Sequence, residues 1–274
     1  MRQHNRWCRH SCLPLSLCLL SLLLISTVSR AADTDPPKWV DAMKKVHEGF
    51  TGTKGYVAQF GDSITYSMAF WKPMTWSDPT PFLKDDNLPK QPDKPWKNII
   101  KGADDKGPES ANYSGWRVTD LLKAVPNVIK KNKPEVALIM IGTNDISAGK
   151  VPADYQANLE KVITLCTDAH CIPILSTIPP KRGQMEAVEA ANKIIKTIAE
   201  KQNLPLIDFY AEILNHAENQ NWDGTLISND GVHPTGGKTQ DYSEENLKKS
   251  GYALRNWLSF LKYREVYFKV LVVK

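Results

Sequence analysis

Beyond its first 31 residues this chain of 274 has little cysteine and almost no net charge. Cys8, Cys12 and Cys18 all lie in that first stretch, which leaves only Cys166 and Cys171 for the remainder. Two thiols with His170 between them make a poor zinc site without a fourth ligand, so no metal is expected. The formal charge of +5 includes four arginines and no acid within residues 1–31, so the rest of the chain carries +1. Phosphate binding needs concentrated basic charge, and its lack argues against a nucleic-acid partner. The sequence also has no internal repeat and no low-complexity linker. Residues 32–274 are therefore expected to form a single domain with its own core.

What the first stretch does contain is an acid-free apolar run, Leu13 to Val28, preceded by Arg2, Arg6 and Arg9. Ser29-Arg30-Ala31 follows, with small residues at the two positions that cleavage of an exported precursor requires. The run is short for a full membrane span, so residues 1–31 read as a signal peptide cut near Ala31, with an uncleaved anchor as the alternative. Leu17 before Cys18 is larger than lipoprotein processing accepts. The expectation is a periplasmic or extracellular protein with no stable membrane insertion after cleavage. In that oxidising setting Cys166 and Cys171 are expected to form a local disulfide, two buried thiols being the alternative.

Four apolar runs read as strands covered on both faces, because they lack strict alternation: "YVAQF" from Tyr56, "VALIMI" from Val136, "IPILSTI" from Ile172 and "LPLIDF" from Leu204. Between them Tyr155, Leu159, Val162, Ile163 and Cys166 repeat at helical spacing behind Pro152, and Met185, Val188, Ile195 and Ile198 form a second stripe. Alternating strands and helices predict a three-layer α/β/α fold around a doubly wound parallel sheet. Residues 67–112 resist this scheme. They are rich in Pro, Asp and Lys and carry Trp71, Trp76 and Trp96, with a short helical signal near Lys94–Lys101 and a brief strand near Ser110–Tyr113. A segment of that length is most often a lid or binding loop, and Trp71 and Trp76 are candidates to stack on substrate; the alternative is that these rings pack the loop onto the body.

Chemistry gathers at strand ends. "FGDSIT" puts Ser63 after the first apolar run, and "IGTND" puts Asn144 after the second major one. "NYSGW" offers the backbone N–H of Gly115, and "NDGVHP" sets Asp230 three residues before His233 on a late loop. In a doubly wound sheet ligands bind beyond the carboxyl ends of the strands. A serine there needs a base, and His233 can serve; an acid must hold the imidazole tautomer, and Asp230 can. The Ser63 and Gly115 N–H groups and the Asn144 amide can hold the oxyanion. Each piece alone has a plain reading as a turn or surface loop. A glycosidase built on Asp62, Asp145 and Asp230 would leave Ser63 and those donors without a role.

In these four blocks the chain resembles the SGNH hydrolases, the GDSL-like esterases and lipases: Ser63 in "GDSIT", Gly115 in "SGW", Asn144 in "GTND" and His233 in "DGVHP". The resemblance runs from Tyr56 to the C-terminal helix. It implies a flavodoxin-like sheet of about five strands, a Ser63–His233–Asp230 triad and no cofactor. "GWR", Gly115 to Arg117, resembles the second block of the family's carbohydrate esterases. Arg117 and Trp116, with Asp62 beside the nucleophile, are thus candidate substrate contacts, and an acetylated saccharide is the expected substrate. The alternatives are a lysophospholipase, arylesterase or thioesterase, and a carbohydrate-binding protein without turnover.

Two departures from the family pattern stand out. The connection between the first two blocks is the long Trp-bearing segment, and a polar stretch, "TGGKTQDYSEEN", separates His233 from a helix expected near Leu247–Leu261. The apolar ending "VYFKVLVV" is expected to pack on the body or add a strand. "NYS" at Asn112 matches a glycosylation acceptor, read as chance because it would lie beside the site.

Overall fold

The computed structural model describes residues 37–217, 219 and 221–272; the leader expected over residues 1–31 lies outside them. Residues 36–274 cluster as one unit. Helix α1 (Lys38–His47) leads into β1 (Thr53–Gly61), the four-residue α2 (Ser63–Tyr66), α3 (Trp96–Ile99) and α4 (Val118–Asn132). Then β2 (Pro134–Met140), α5 (Tyr155–Asp168), β3 (Ile172–Ser176), α6 (Met185–Lys201) and β4 (Leu206–Ile207) alternate. The chain closes with α7 (Phe209–His216), α8 (Glu244–Leu247) and α9 (Gly251–Val266), which continues into a π-helical turn, Tyr267–Leu271.

The sheet is parallel in the order β1-β2-β3-β4. All residues of β2 and β3 are buried, as the unbroken apolar runs require when both faces are covered. Right-handed crossovers that always step in one direction put α4, α5 and α6 on one face. The other face is covered by α1 and α9, whose π-helical extension packs on α1. The apolar ending thus adds a helical turn rather than a strand, and Val270 is buried. Among the described residues no helix is long and apolar enough to cross a membrane.

The fifth strand expected from the family is replaced by two single bridges on the free edge of β1, Tyr56 to Lys101 and Gly61 to Asn112. Between them the chain turns through Gly102 and Pro108 and cannot keep a ladder. Asn112 substitutes for one: its side chain, fully buried, donates to the Gln59 carbonyl at 2.8 Å and accepts from the Gly107 N–H at 3.0 Å. A buried amide used in this way cannot carry a glycan. The edge still lies beside β1, so the strand order reverses next to the loop that carries Ser63.

Two expectations are corrected by packing. Trp71 is not a substrate contact; its ring is fully buried and meets Tyr263 edge-on at 5.9 Å, and its backbone N–H donates to Asn256 Oδ1. Trp96 is likewise buried, against Phe260 at 5.2 Å. Burying rings of this size contributes about 2 kcal/mol or more each, so the long segment is fastened to α9. Cys166 and Cys171 are free thiols, not a disulfide. The Cys171 N–H closes the end of α5 on the Cys166 carbonyl at 2.9 Å, which brings the thiols into hydrogen-bond contact. Burial, then that contact, raises the Cys171 thiol well above its ordinary value, and a protonated buried thiol is chemically inert.

Candidate active site

Ser63 opens α2 directly at the end of β1. Asp62 precedes it in extended conformation and caps the helix, accepting the Ile64 N–H at 3.0 Å on Oδ1. Thr65 and Tyr66 donate to the Asp62 carbonyl, while the Ser63 N–H has no partner among the described residues. Asp62 itself is fully buried, which corrects its candidacy as a substrate contact. Desolvation raises its carboxyl, with the Ile64 N–H and the Arg255 and His233 charges opposing.

The loop Ser228–His233 closes on itself: the Ser228 N–H donates to the His233 carbonyl and the Gly231 N–H to the Ser228 carbonyl, both at 2.8 Å. Gly231 takes φ +73°, and a Cβ there would stand 2.6 Å from Arg182 Cβ, so the turn needs glycine twice over. That turn folds Asp230 back beneath His233. Asp230 Oδ2 lies 2.7 Å from His233 Nδ1, and Oδ1 accepts from the Ser228 hydroxyl and the Val232 and His233 N–H groups. Burial pushes the Asp230 carboxyl up, but these donors outweigh it and hold it well below the usual carboxylate range. With Nδ1 donating to the carboxylate, His233 presents its Nε2 lone pair to Ser63 Oγ at 2.8 Å.

The two remaining predicted residues come from neighbouring strand ends. Gly115 adopts φ +77°, its N–H has no partner among the described residues, and nothing lies within 4 Å of where a Cβ would be. Asn144 donates one amide hydrogen to the Trp116 carbonyl at 3.0 Å, which orients the group and leaves a second N–H free. The next residue, Asp145, accepts the Val118 N–H at the start of α4, at 3.2 Å on each oxygen, so the Gly115 and Asn144 loops are tied together. Desolvation pushes the Asp145 carboxyl up to about 6. Arg117, the residue preceding α4, is exposed; its backbone N–H donates to Asp120 Oδ2 at 3.1 Å. Trp116 is half-buried beside Tyr113. Trp76 is 58% exposed and lines a cavity of about 270 Å³ with Pro95, Trp96 and Lys97, none of them residues of the Ser63 cluster.

Several supporting groups carry no local sequence signal. Behind α2, buried Arg255 donates to the Ile64 carbonyl and Thr65 Oγ1 at 2.7 and 2.8 Å. Lys106 Nζ reaches Gln59 Oε1, the Thr65 carbonyl and the Phe70 carbonyl. Burial first, then the nearby Arg255 charge, pushes its amine down to about 6. After β3, "PPKR" puts Lys181 Nζ on the Thr143 carbonyl at 2.9 Å and Arg182 Nη1 on the Asn229 carbonyl at 2.9 Å. Arg182 also forms a bidentate pair with Asp223. Among the described residues no group of three or more His, Cys, Asp or Glu side chains is arranged to hold a metal.

A hydroxyl hydrogen-bonded to an imidazole, with a carboxylate behind that imidazole and unpaired N–H donors beside the hydroxyl, is equipped for acyl transfer. Comparison with known proteins agrees at the level of family. The GDSL-like lipase/acylhydrolase family is matched over residues 60–236, which spans all four blocks. An arylesterase from Vibrio mimicus is 26% identical over 150 residues, covering 52% of this chain and 71% of the relative. Among solved structures, a lipase/acylhydrolase from Enterococcus faecalis has TM-score 0.51 at 20% identity, covering 77% of this chain and 95% of its own. A carbohydrate esterase family 3 protein from Talaromyces cellulolyticus has TM-score 0.50 at 19% identity, covering 77% and 98%. The chain belongs to the GDSL-like lipase/acylhydrolase family and is a hydrolase acting on ester bonds.

Proposed function

We propose that this protein is an exported serine esterase that removes small acyl groups, acetyl above all, from a carbohydrate. The observation that carries the mechanism is the continuous chain Ser63 Oγ, His233 Nε2 and Nδ1, Asp230 Oδ2, with links of 2.8 and 2.7 Å. Ser63 Oγ attacks the ester carbonyl carbon while its proton passes to His233 Nε2, and the Asp230 carboxylate balances the imidazolium. The oxyanion settles among the Ser63 and Gly115 N–H groups and the Asn144 amide. Collapse breaks the bond to the alcohol oxygen, which leaves with the His233 proton. Water, deprotonated by the same imidazole, then attacks the acyl-enzyme and releases the carboxylic acid.

Two observations support a small acyl group on a sugar. The Ser63 hydroxyl is only half-buried and the His233 side chain is 40% exposed, which suits an ester carried on a bulky molecule. The likeness to a carbohydrate esterase family 3 protein points the same way. Export rests on the leader-like sequence of residues 1–31 alone. The test is hydrolysis of p-nitrophenyl esters from acetyl to long acyl by wild type and Ser63→Ala. A Ser63-dependent rate greatest on acetyl is expected, with the variant slower by about 10³-fold or more. A preference for long chains would move the assignment to a lipid or thioester hydrolase. Equal, slow rates for both proteins would remove Ser63 as the nucleophile and favour a binding protein.

A further inference from the structure

The site has an exposed aromatic border that the acyl-transfer steps leave unused. Tyr66 follows Ser63 by three residues on α2, so both lie on one side of that turn. The Tyr66 ring stands 5.1 Å from that of Tyr113, which stands 6.3 Å from that of Trp116. Of the five large hydrophobic side chains exposed among the described residues, Tyr66 and Tyr113 belong to this one border. Exposed apolar side chains concentrated in one place mark a binding surface, whereas scattered ones need no explanation.

The border is built onto the same groups that face the reacting carbonyl. The Tyr113 N–H donates to the Gly61 carbonyl at the end of β1, and the Trp116 carbonyl orients the Asn144 amide. Tyr113 and Trp116 lie on either side of Gly115 in the chain, so the loop that carries the two rings also carries one of the candidate oxyanion donors. The rings are tilted 56° and 60° to one another, so they offer a stepped aromatic surface rather than one flat face. The rings present π faces of negative potential, which attract the C–H faces of pyranose units, while phenol hydroxyls and the exposed Arg117 meet sugar hydroxyls. A long acyl chain, by contrast, gains most from an enclosed apolar channel, and this surface is open to solvent.

We propose that Tyr66, Tyr113 and Trp116 form the subsite for the saccharide that carries the ester. This rests on Ser63 being the nucleophile of a carbohydrate esterase. The subsite binds the alcohol side of the ester, so it governs selectivity between polymeric and small substrates. Flat, rigid aromatic side chains suit this task because little rotamer entropy is lost when ligand docks.

The test compares kcat/KM on an acetylated β-linked xylo-oligosaccharide with kcat/KM on triacetin, an ester that is neither sugar nor aryl. Wild type, Tyr66→Ala/Tyr113→Ala and Tyr66→Phe/Tyr113→Phe are assayed side by side. The ratio of the two kcat/KM values is expected to fall about tenfold or more in the alanine variant, through KM, and to be largely restored by phenylalanine. The unacetylated oligosaccharide is expected to inhibit wild-type triacetin hydrolysis competitively and to inhibit the alanine variant far less. An unchanged ratio overturns the proposal, as does a fall on triacetin without one on the oligosaccharide. If wild type cleaves triacetin through Ser63 but leaves the oligosaccharide untouched, the carbohydrate reading falls and the subsite with it. If Ser63→Ala equals wild type on both, the proposed nucleophile itself fails.

Discussion

Asp145 and Asp230 are two carboxyl groups of one site with opposite environments. Asp230 keeps nearly half its side chain in solvent and collects four donors, so its charge is held throughout the working pH range. Asp145 is 6% exposed, and its hydrogen bonds to the Val118 N–H and its own backbone do not offset the loss of water, so its carboxyl is pushed up to about 6 from 3.8. A raised folded-state pKa means that the folded chain binds the proton more tightly than the unfolded one. The stability that Asp145 adds is therefore full below about pH 4 and lost as the pH rises through about 6. Asp145→Asn keeps an acceptor for the Val118 N–H and removes the titration. Unfolding free energies of wild type and variant, measured by denaturant from pH 4 to pH 7, are expected to diverge, with wild type losing about 2 kcal/mol relative to the variant.

At the scale of elements, the connection between β3 and α6 braces both halves of the site. Lys181 holds the loop of Asn144 through the Thr143 carbonyl, and Arg182 holds the loop of Asp230 and His233 through Asn229. The Arg182 N–H adds a bond to the Gly231 carbonyl at 2.8 Å. Arg182 and Asp223 are partly exposed, so their pairing contributes little to global stability. Its consequence lies in placing the imidazole. Arg182→Ala is expected to lower kcat about tenfold on p-nitrophenyl acetate, with KM and the thermal midpoint nearly unchanged, because small misplacements of a base are costly. Steady-state kinetics beside a melting curve check this. A parallel loss of stability, or a rise in KM alone, would speak against the brace.

For the whole molecule, the segment 67–112 is joined to β1 by two backbone bridges near its end and to α9 by side chains. Beyond its buried Trp rings, Arg264 on α9 is 1% exposed and binds Asp86 with two bonds of 2.6 and 2.8 Å, with the Leu88 and Pro89 carbonyls taking further donors. Arg264→Ala leaves those acceptors without their partner, so a loss of about 2–4 kcal/mol in unfolding free energy is expected. The hydrogen bonds from Arg264, opposed by burial, hold the Asp86 carboxyl below its ordinary 3.8. A lowered folded-state pKa gives stability that is present above about pH 4 and lost as the pH falls below it, and this acid step should shrink in Arg264→Ala. Denaturant titrations of both proteins at pH 3 and pH 7 measure it. Of the three indoles in this segment, Trp71 and Trp96 are buried and Trp76 is exposed.

What the sequence determined by itself is whatever contiguous residues encode. The apolar runs without alternation specified buried parallel strands, Asp62 before Ser63 specified a capped turn, and Asp-Gly-Val-His specified a loop that folds its acid onto its base. Four short blocks, each weak alone, pointed to one candidate site because strand ends converge on one edge of a parallel sheet. Tertiary structure decided the rest. Whether Trp71 meets substrate or Tyr263 depends on a partner far along the chain, and so does the choice of Lys106 and Arg255 to support α2. The missing fifth strand turned on the bends at Gly102 and Pro108 and on the buried side chain of Asn112, and Cys166 and Cys171 are buried as free thiols where α5 leads into β3. The aromatic border is of the same kind: Tyr66 and Tyr113 are unremarkable in the sequence and become neighbours only because Gly61 brings two loops together. Burial and long-range pairing are properties of the packed whole, and no window of sequence contains them.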